Sequence, residues 1–235
     1  MKAVFRTDKG KVRASNQDAL VVLEGKYPVY AVADGMGGHR GGDVASAMTV
    51  AGVKRMLAGK EPSEKAIRSC ISAINLEVFN RQKEDDTLSG MGTTLTLLWV
   101  GAHSILLGHV GDSRAYLMRD EKLSQVSTDH SLVGELLRSG VLNEESARAY
   151  PYRNIITRAV GSDRKILCDT VSLERRAGDR FLLCSDGLTD CVEDEVIEQL
   201  MGLPCMDSAA DQLMAEALEG GGRDNITLVM VEVTA

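Results

Sequence analysis

Four apolar runs in this chain meet an aspartate with glycine beside it or two residues away: "VYAVADG" (29–35), "ILLGHVGD" (105–112), "RFLLCSDG" (180–187) and "GGGRDNITLVMV" (220–231). Asp is depleted in strands and is rarely buried without a partner. Four carboxylates at the ends of buried strands, with little positive charge nearby, would repel one another and push their pKa values upward. A hard divalent cation removes that conflict, because Mg²⁺ or Mn²⁺ is held by carboxylate, carbonyl and water oxygens. The adjacent glycines would let backbone carbonyls and waters reach an ion with no Cβ in the way. Taken singly, each Asp reads more simply as a turn residue or a helix cap. Their shared pattern points to a common site at Asp34, Asp112, Asp186 and Asp224.

The rest of the chain says what those strands belong to. Ala19–Leu23 and Val29–Ala33 flank "EGKYP" as a hairpin, Thr93–Val100 and Ile105–Val110 flank "GAHS", and Ala115–Met118 with Leu123–Val126 flank a charged turn. Phe181–Cys184 and Ile226–Val233 are two more strands. Helical spacing runs from Val44 to Leu57 and through Ile67, Ile71, Ile74 and Val78 behind a Ser63 cap. Shorter helices fit 131–139, 144–149 behind Asn143, 194–201 and 208–219. Strands joined by short turns predict antiparallel sheets, and amphipathic helices predict cover on an outer face. The class is α+β, in layers.

Composition narrows the partners. The 235 residues carry a formal net charge of −7, which disfavours nucleic acid and acidic membrane. The N-terminal "MKAVFRTDKGKVR" has no apolar core of a signal peptide, and no 18-residue apolar stretch occurs. Five cysteines, odd in number and without C-x-x-C, indicate neither a disulfide framework nor a zinc site. A cytoplasmic protein with reduced thiols is the expectation. No linker divides the chain, so one domain over 1–235 is expected.

Eight segments then fall in a known order: "TDKGKVRASNQD" (7–18), "ADGMGGHRGG" (33–42), "GMGTTLTLL" (90–98), "GHVGDSRAYL" (108–117), "TDHSLVGELLRSG" (128–140), "ITRAVGSD" (156–163), "LLCSDGLTD" (182–190) and "GGRDNITLV" (221–229). In this the chain resembles the metal-dependent serine/threonine protein phosphatases of type 2C, the PPM family, and its bacterial single-domain branch in particular. The resemblance implies a four-layer α-β-β-α sandwich, two antiparallel sheets flanked by helices on both faces. It implies a binuclear Mn²⁺ or Mg²⁺ centre at one end, and hydrolysis of phosphoserine and phosphothreonine by a metal-bridging hydroxide, without a phosphoenzyme.

By the same resemblance, Asp34 bridges two metals, the Gly35 carbonyl serves the second, and Asp186 and Asp224 complete the first. Asp112 and Asp186 match the residues that hold a third, looser metal. Arg13 matches the phosphate-binding arginine, where a planar guanidinium grips two oxygens. Asp18 would orient waters of the centre, and His39 is a candidate general acid for the leaving alkoxide. Gln17 stands where animal members use a Glu, which implies a more hydrated second metal. Residues 129–163 correspond to a flap beside the site, a segment able to read substrate.

The implied partners are phosphorylated proteins and a bacterial Ser/Thr kinase, with the enzyme a monomer. Two other readings stay open at this point. One is a pseudophosphatase that binds without turnover, although all four aspartates are present. The other is a stress or sporulation phosphatase, whose domains generally lack the flap that residues 129–163 supply.

Overall fold

The computed structural model describes residues 1–37, 41–148, 150–152 and 154–234. Among these, two five-stranded antiparallel sheets form the centre. One has the order β1 (Lys2–Asp8), β12 (Ile226–Glu232), β11 (Arg180–Cys184), β8 (Arg114–Arg119), β9 (Lys122–Gln125). The other runs β10 (Asp169–Glu174), β7 (Ser104–Val110), β6 (Leu95–Val100), β3 (Val29–Ala33), β2 (Ala19–Leu23). β4 (Gly35–Met36) and β5 (Gly92–Thr93) pair as a separate two-stranded ribbon that follows β3 and precedes β6 in the chain.

Why β6 and β3 are buried at every position and almost wholly apolar follows from what covers them. Leu95, Leu97 and Trp99 of β6 belong to a core shared with the helices, whereas Leu98 and Val100 belong to the core between the sheets. In β3, Val29 and Ala31 face the helices while Tyr30 and Val32 face the other sheet. A strand covered on both sides has no polar face to show, and period-2 alternation disappears from its sequence. The first sheet repeats the arrangement: Leu182, Leu228 and Met230 pack towards helices, and Phe181, Leu183, Val229 and Val231 towards the partner sheet.

The helices complete four layers. On the second sheet lie α1 (Gly42–Leu57) and α2 (Glu64–Glu84). Ser63 caps α2 by accepting the Ala66 N–H at 3.2 Å, as its position before the apolar stripe predicts. Against the first sheet lie α6 (Asp194–Met201) and α7 (Met206–Glu219). The layered α+β expectation is met.

Several elements escape the sequence reading, β1, β10 and a short helix after β11 among them. The strands β1 and β10 lie at sheet edges and are half-exposed, so they need no continuous apolar run. The helix α5 (Asp186–Thr189) is a single turn. Between β9 and β10 the chain leaves the sandwich for α3 (Leu132–Arg138) and α4 (Glu144–Arg148), starting and returning through a bridge of Ser131 with Ile156.

Phe181 is fully buried between the sheets. Its replacement by Ala lowers unfolding free energy by about 3–5 kcal/mol in urea titrations; a loss under 1 kcal/mol would mean that the inter-sheet core is not where stability resides.

Candidate active site

The four aspartates reach one end of the sandwich by two routes. Asp34 and Asp112 follow β3 and β7, which flank β6 and run in the same direction. Asp186 follows β11 and opens α5, and Asp224 stands two residues ahead of β12. Electrostatics shows that they meet. Burial first, and then the charges of Asp186, Asp18 and Asp112, hold the Asp34 carboxyl well above the usual carboxylate range. Asp112 is raised by burial and by Asp186 and Asp129; Asp186 by burial and by Asp190 and Asp224. Asp18 is raised chiefly by burial. Asp18, Asp34, Asp112 and Asp186 each keep part of their surface at the mouth of the site. Protein packed around them strips their hydration without enclosing them.

Among the described residues, no three His, Cys, Asp or Glu side chains are drawn around a single point. The site is a loose ring of acids. Three of its oxygens, Asp18 Oδ1, Asp112 Oδ1 and Asp186 Oδ1, are buried with no hydrogen-bond partner. Buried polar atoms are nearly always satisfied, and repelling carboxylates with orphaned oxygens are short of a cation. Oxygen donors of this hardness suit Mg²⁺ or Mn²⁺. The residues fit such an ion.

Arg13 supplies positive charge at the rim, its Nη2 standing 2.5 Å from Asp224 Oδ2. Its side chain is 54% exposed, so the guanidinium is open to solvent as well. The loop that carries it is tied down by a residue the sequence reading passed over. Asn225 donates from Nδ2 to the Lys9 and Ser15 carbonyls at 3.0 and 2.9 Å, and its Oδ1 accepts the Gln17 N–H at 2.7 Å. Ser185, also passed over, donates to Asp18 Oδ2 at 2.8 Å. Both sit beside a carboxylate in "SDG" and "DN", where a small polar residue inside an apolar context is the available signal. Gln17 turns its Oε1 against Gly42 at the start of α1. His39 lies outside the described residues.

Two of the glycines also answer to packing. A Cβ on Gly35 would come within 2.1 Å of the Gly42 carbonyl oxygen, and one on Gly187 within 2.0 Å of the Asn225 carbonyl oxygen. Close backbone approach, and not only access for oxygen ligands, requires them. From Asp112 and Asp186 a cavity of about 470 Å³ leads to Val133, Gly134 and Leu137 of the excursion.

Comparison with known proteins decides the family. The model of the protein phosphatase 2C family matches residues 9–220. The chain belongs to that family. A serine/threonine phosphatase, stp, of Listeria monocytogenes is 41% identical over 241 residues, covering 99% of this chain and 96% of that protein. The crystal structure of serine/threonine phosphatase Stp1 from Staphylococcus aureus superposes with a TM-score of 0.94 at 33% identity, covering 100% of this chain and 95% of that one. The catalytic domain of the phosphatase PstP, solved in complex with two manganese ions, superposes with a TM-score of 0.90 at 36% identity, covering 100% of this chain and 98% of that one.

Beneath Asp112 the fold buries an imidazole. His109 is fully buried, with Nε2 3.1 Å from the Thr128 carbonyl oxygen and Nδ1 2.9 Å from Thr96 Oγ1. The carbonyl must be met by an N–H, so the neutral ring carries its proton on Nε2, and Nδ1 shares the Thr96 hydroxyl proton with the Ser113 carbonyl oxygen, 3.1 Å from Thr96 Oγ1. Burial, and then His130, lower its pKa to about 4. The unfolded chain takes up this proton below about 6.5, so the stabilisation is complete above that pH and is lost as pH falls towards 4. In ¹⁵N spectra one imidazole stays neutral, as the Nε2–H tautomer, down to about pH 5; titration of every histidine near 6.5 would refute this burial. A second outcome concerns the acids. Asp34→Asn raises the melting temperature of the chelator-treated protein by a few degrees, because it removes one like charge, and it abolishes the upward shift produced by Mn²⁺. A melting temperature lowered in chelator would show that the ring is not under repulsion.

Proposed function

We propose that this chain hydrolyses phosphoserine and phosphothreonine in proteins, as a metal-dependent phosphatase opposing a bacterial Ser/Thr kinase. One observation carries the reading: repelling, partly orphaned carboxylates are gathered beside an exposed arginine. Such a site is anionic in the free protein and cannot attract a phosphate dianion until cations reverse its sign.

Asp34, Asp186 and Asp224 would hold the ions with the Gly35 carbonyl, and Asp112 with Asp186 a third. Two divalent ions bound there supply Lewis acidity at the phosphoryl oxygens and an activated water at neutral pH. The remaining work falls to the chain. Arg13, relieved of Asp224 when that carboxylate is engaged, places its planar guanidinium on two phosphate oxygens. Asp18, held at Oδ2 by Ser185, leaves Oδ1 to accept from a water and so to orient it. His39 is retained as the candidate donor of a proton to the departing alkoxide. Residues 129–163 form the flap, with Val133, Gly134 and Leu137 on the wall of the cavity that leads to the acids. The protein works as a cytoplasmic monomer in this reading; no described helix is long and apolar enough to cross a membrane.

A phosphothreonine peptide is hydrolysed in Mn²⁺ and left intact in EDTA, and Asp34→Ala is inactive under both conditions. Equal activity with and without metal, or in Asp34→Ala, would remove the site from the reaction. Arg13→Ala lowers kcat/KM by roughly 10- to 100-fold through lost charge-assisted bonds, and Arg13→Lys restores little, since an ammonium lacks the fork.

A further inference from the structure

The segment "GTT" (92–94) lies in one of the motifs shared with the phosphatases, and the proposed chemistry assigns it no role. Thr93 and Thr94 precede β6, the strand that separates β3 from β7. Both are fully buried. Since β3 leads into Asp34 and β7 into Asp112, a side chain at the start of β6 stands between the two turns that carry these acids.

Thr94 makes contact on both sides. Towards Asp34, its Oγ1 accepts the Asp34 N–H at 2.9 Å, and its own N–H donates to the Asp34 carbonyl oxygen at 2.9 Å. Thr93 adds its hydroxyl to that carbonyl at 2.8 Å. Towards Asp112, Thr94 Oγ1 pairs with Ser113 Oγ at 2.7 Å. Its Cγ2 and Cβ also lie where a Cβ on Gly111 would be, at 2.5 and 2.6 Å from that point. Gly111 turns here with φ +111°, a region that favours glycine. From the other side His130 closes on it: the Gly111 N–H donates to His130 Nδ1 at 3.1 Å, and its carbonyl accepts the His130 N–H at 2.8 Å.

Asp34 and Asp112 are like charges in a poorly solvated place, and each turn left to itself would relax away from the other. The ions bound at the two turns would then have to hold them in place, at a cost to their affinity. Fixed beforehand, the turns spare the ions that cost. We propose that Thr94 is a positioning residue of the metal site: its hydroxyl and methyl groups fix the Asp34 turn against the Gly111–Asp112 turn, so that acids assigned to neighbouring ions are held in one frame before any ion binds. This rests on the metal-dependent reading of the site.

The test is Mn²⁺ titration calorimetry on the full chain stripped with chelator, with melting temperatures in EDTA and in Mn²⁺ alongside. Thr94→Val keeps the shape of the side chain and deletes the hydroxyl. It is expected to retain the far-UV dichroism of the fold and to weaken Mn²⁺ binding by roughly 10- to 100-fold. Thr94→Ser keeps the hydroxyl and is expected to restore most of that affinity. The proposal is overturned if Thr94→Val binds Mn²⁺ like the wild type, its melting temperature dropping equally in EDTA and in Mn²⁺, as plain loss of packing would produce. Should Thr94→Val not fold, Ser113→Ala decides, with weaker Mn²⁺ binding upholding the proposal and unchanged binding overturning it. A wild-type chain that binds Mn²⁺ yet leaves phosphothreonine peptide intact refutes the phosphatase reading alone, because the affinities still decide the role of Thr94. A wild-type chain that binds no Mn²⁺ overturns both.

Discussion

Mutual repulsion among carboxylates at one end of the sandwich is the constraint around which the rest of the structure is arranged. Left in water, Asp18, Asp34, Asp112 and Asp186 would separate and ionise independently. Here they are anchored at strand ends whose other residues are locked into two cores, so they cannot move apart without unpacking β3, β7 or β11. Hydrophobic burial along those strands far exceeds the electrostatic penalty at their tips. The penalty is therefore stored as raised proton affinity and as unsatisfied oxygens. Both are available to a cation.

The two ends of the chain share in the same device. β1 and β12 pair along their whole length, from Lys2 with Glu232 to Asp8 with Ile226. The loop after β1 then closes on the loop before β12, with the Lys11 N–H on the Gly222 carbonyl oxygen at 2.7 Å and Asn225 bonded to Lys9, Ser15 and Gln17. Arg13 is delivered to Asp224 by that closure. A basic side chain far away in sequence becomes the nearest guanidinium to an acid it could not otherwise find. In the same way His130, at the root of the excursion, reaches Gly111 and couples that excursion to the turn bearing Asp112.

Legibility in the sequence tracked burial. Strands packed on both faces, such as β3 and β6, announce themselves as nearly continuous apolar runs, and the amphipathic helices by their spacing. The edge strands β1 and β10 interleave Lys2, Arg6 and Asp8, or Asp169 and Glu174, with apolar residues, and only pairing with a neighbour makes them strands. At the site, each acid was visible because a carboxylate is out of place at the end of a buried strand. Thr94, Ser113, Ser185 and Asn225 were not, since a single hydroxyl or amide in a strand or turn has many uses and its meaning depends on the group it meets. The glycines were noticed for one reason and have a second: at Gly35 and Gly187, backbone from Gly42 and Asn225 runs against them.

From the residues alone came the layered α+β class, the four acids that conflict with their surroundings, and, through the ordered motifs, the family. These are matters of local chemistry and of order along the chain, which one dimension records. That Asp34 faces Asp186, that Arg13 stands on Asp224, and that Thr94 spans two turns were decided only when the sheets stacked. Contacts between residues dozens to hundreds of positions apart depend on sheet order and register, and no neighbouring residue in the sequence encodes them.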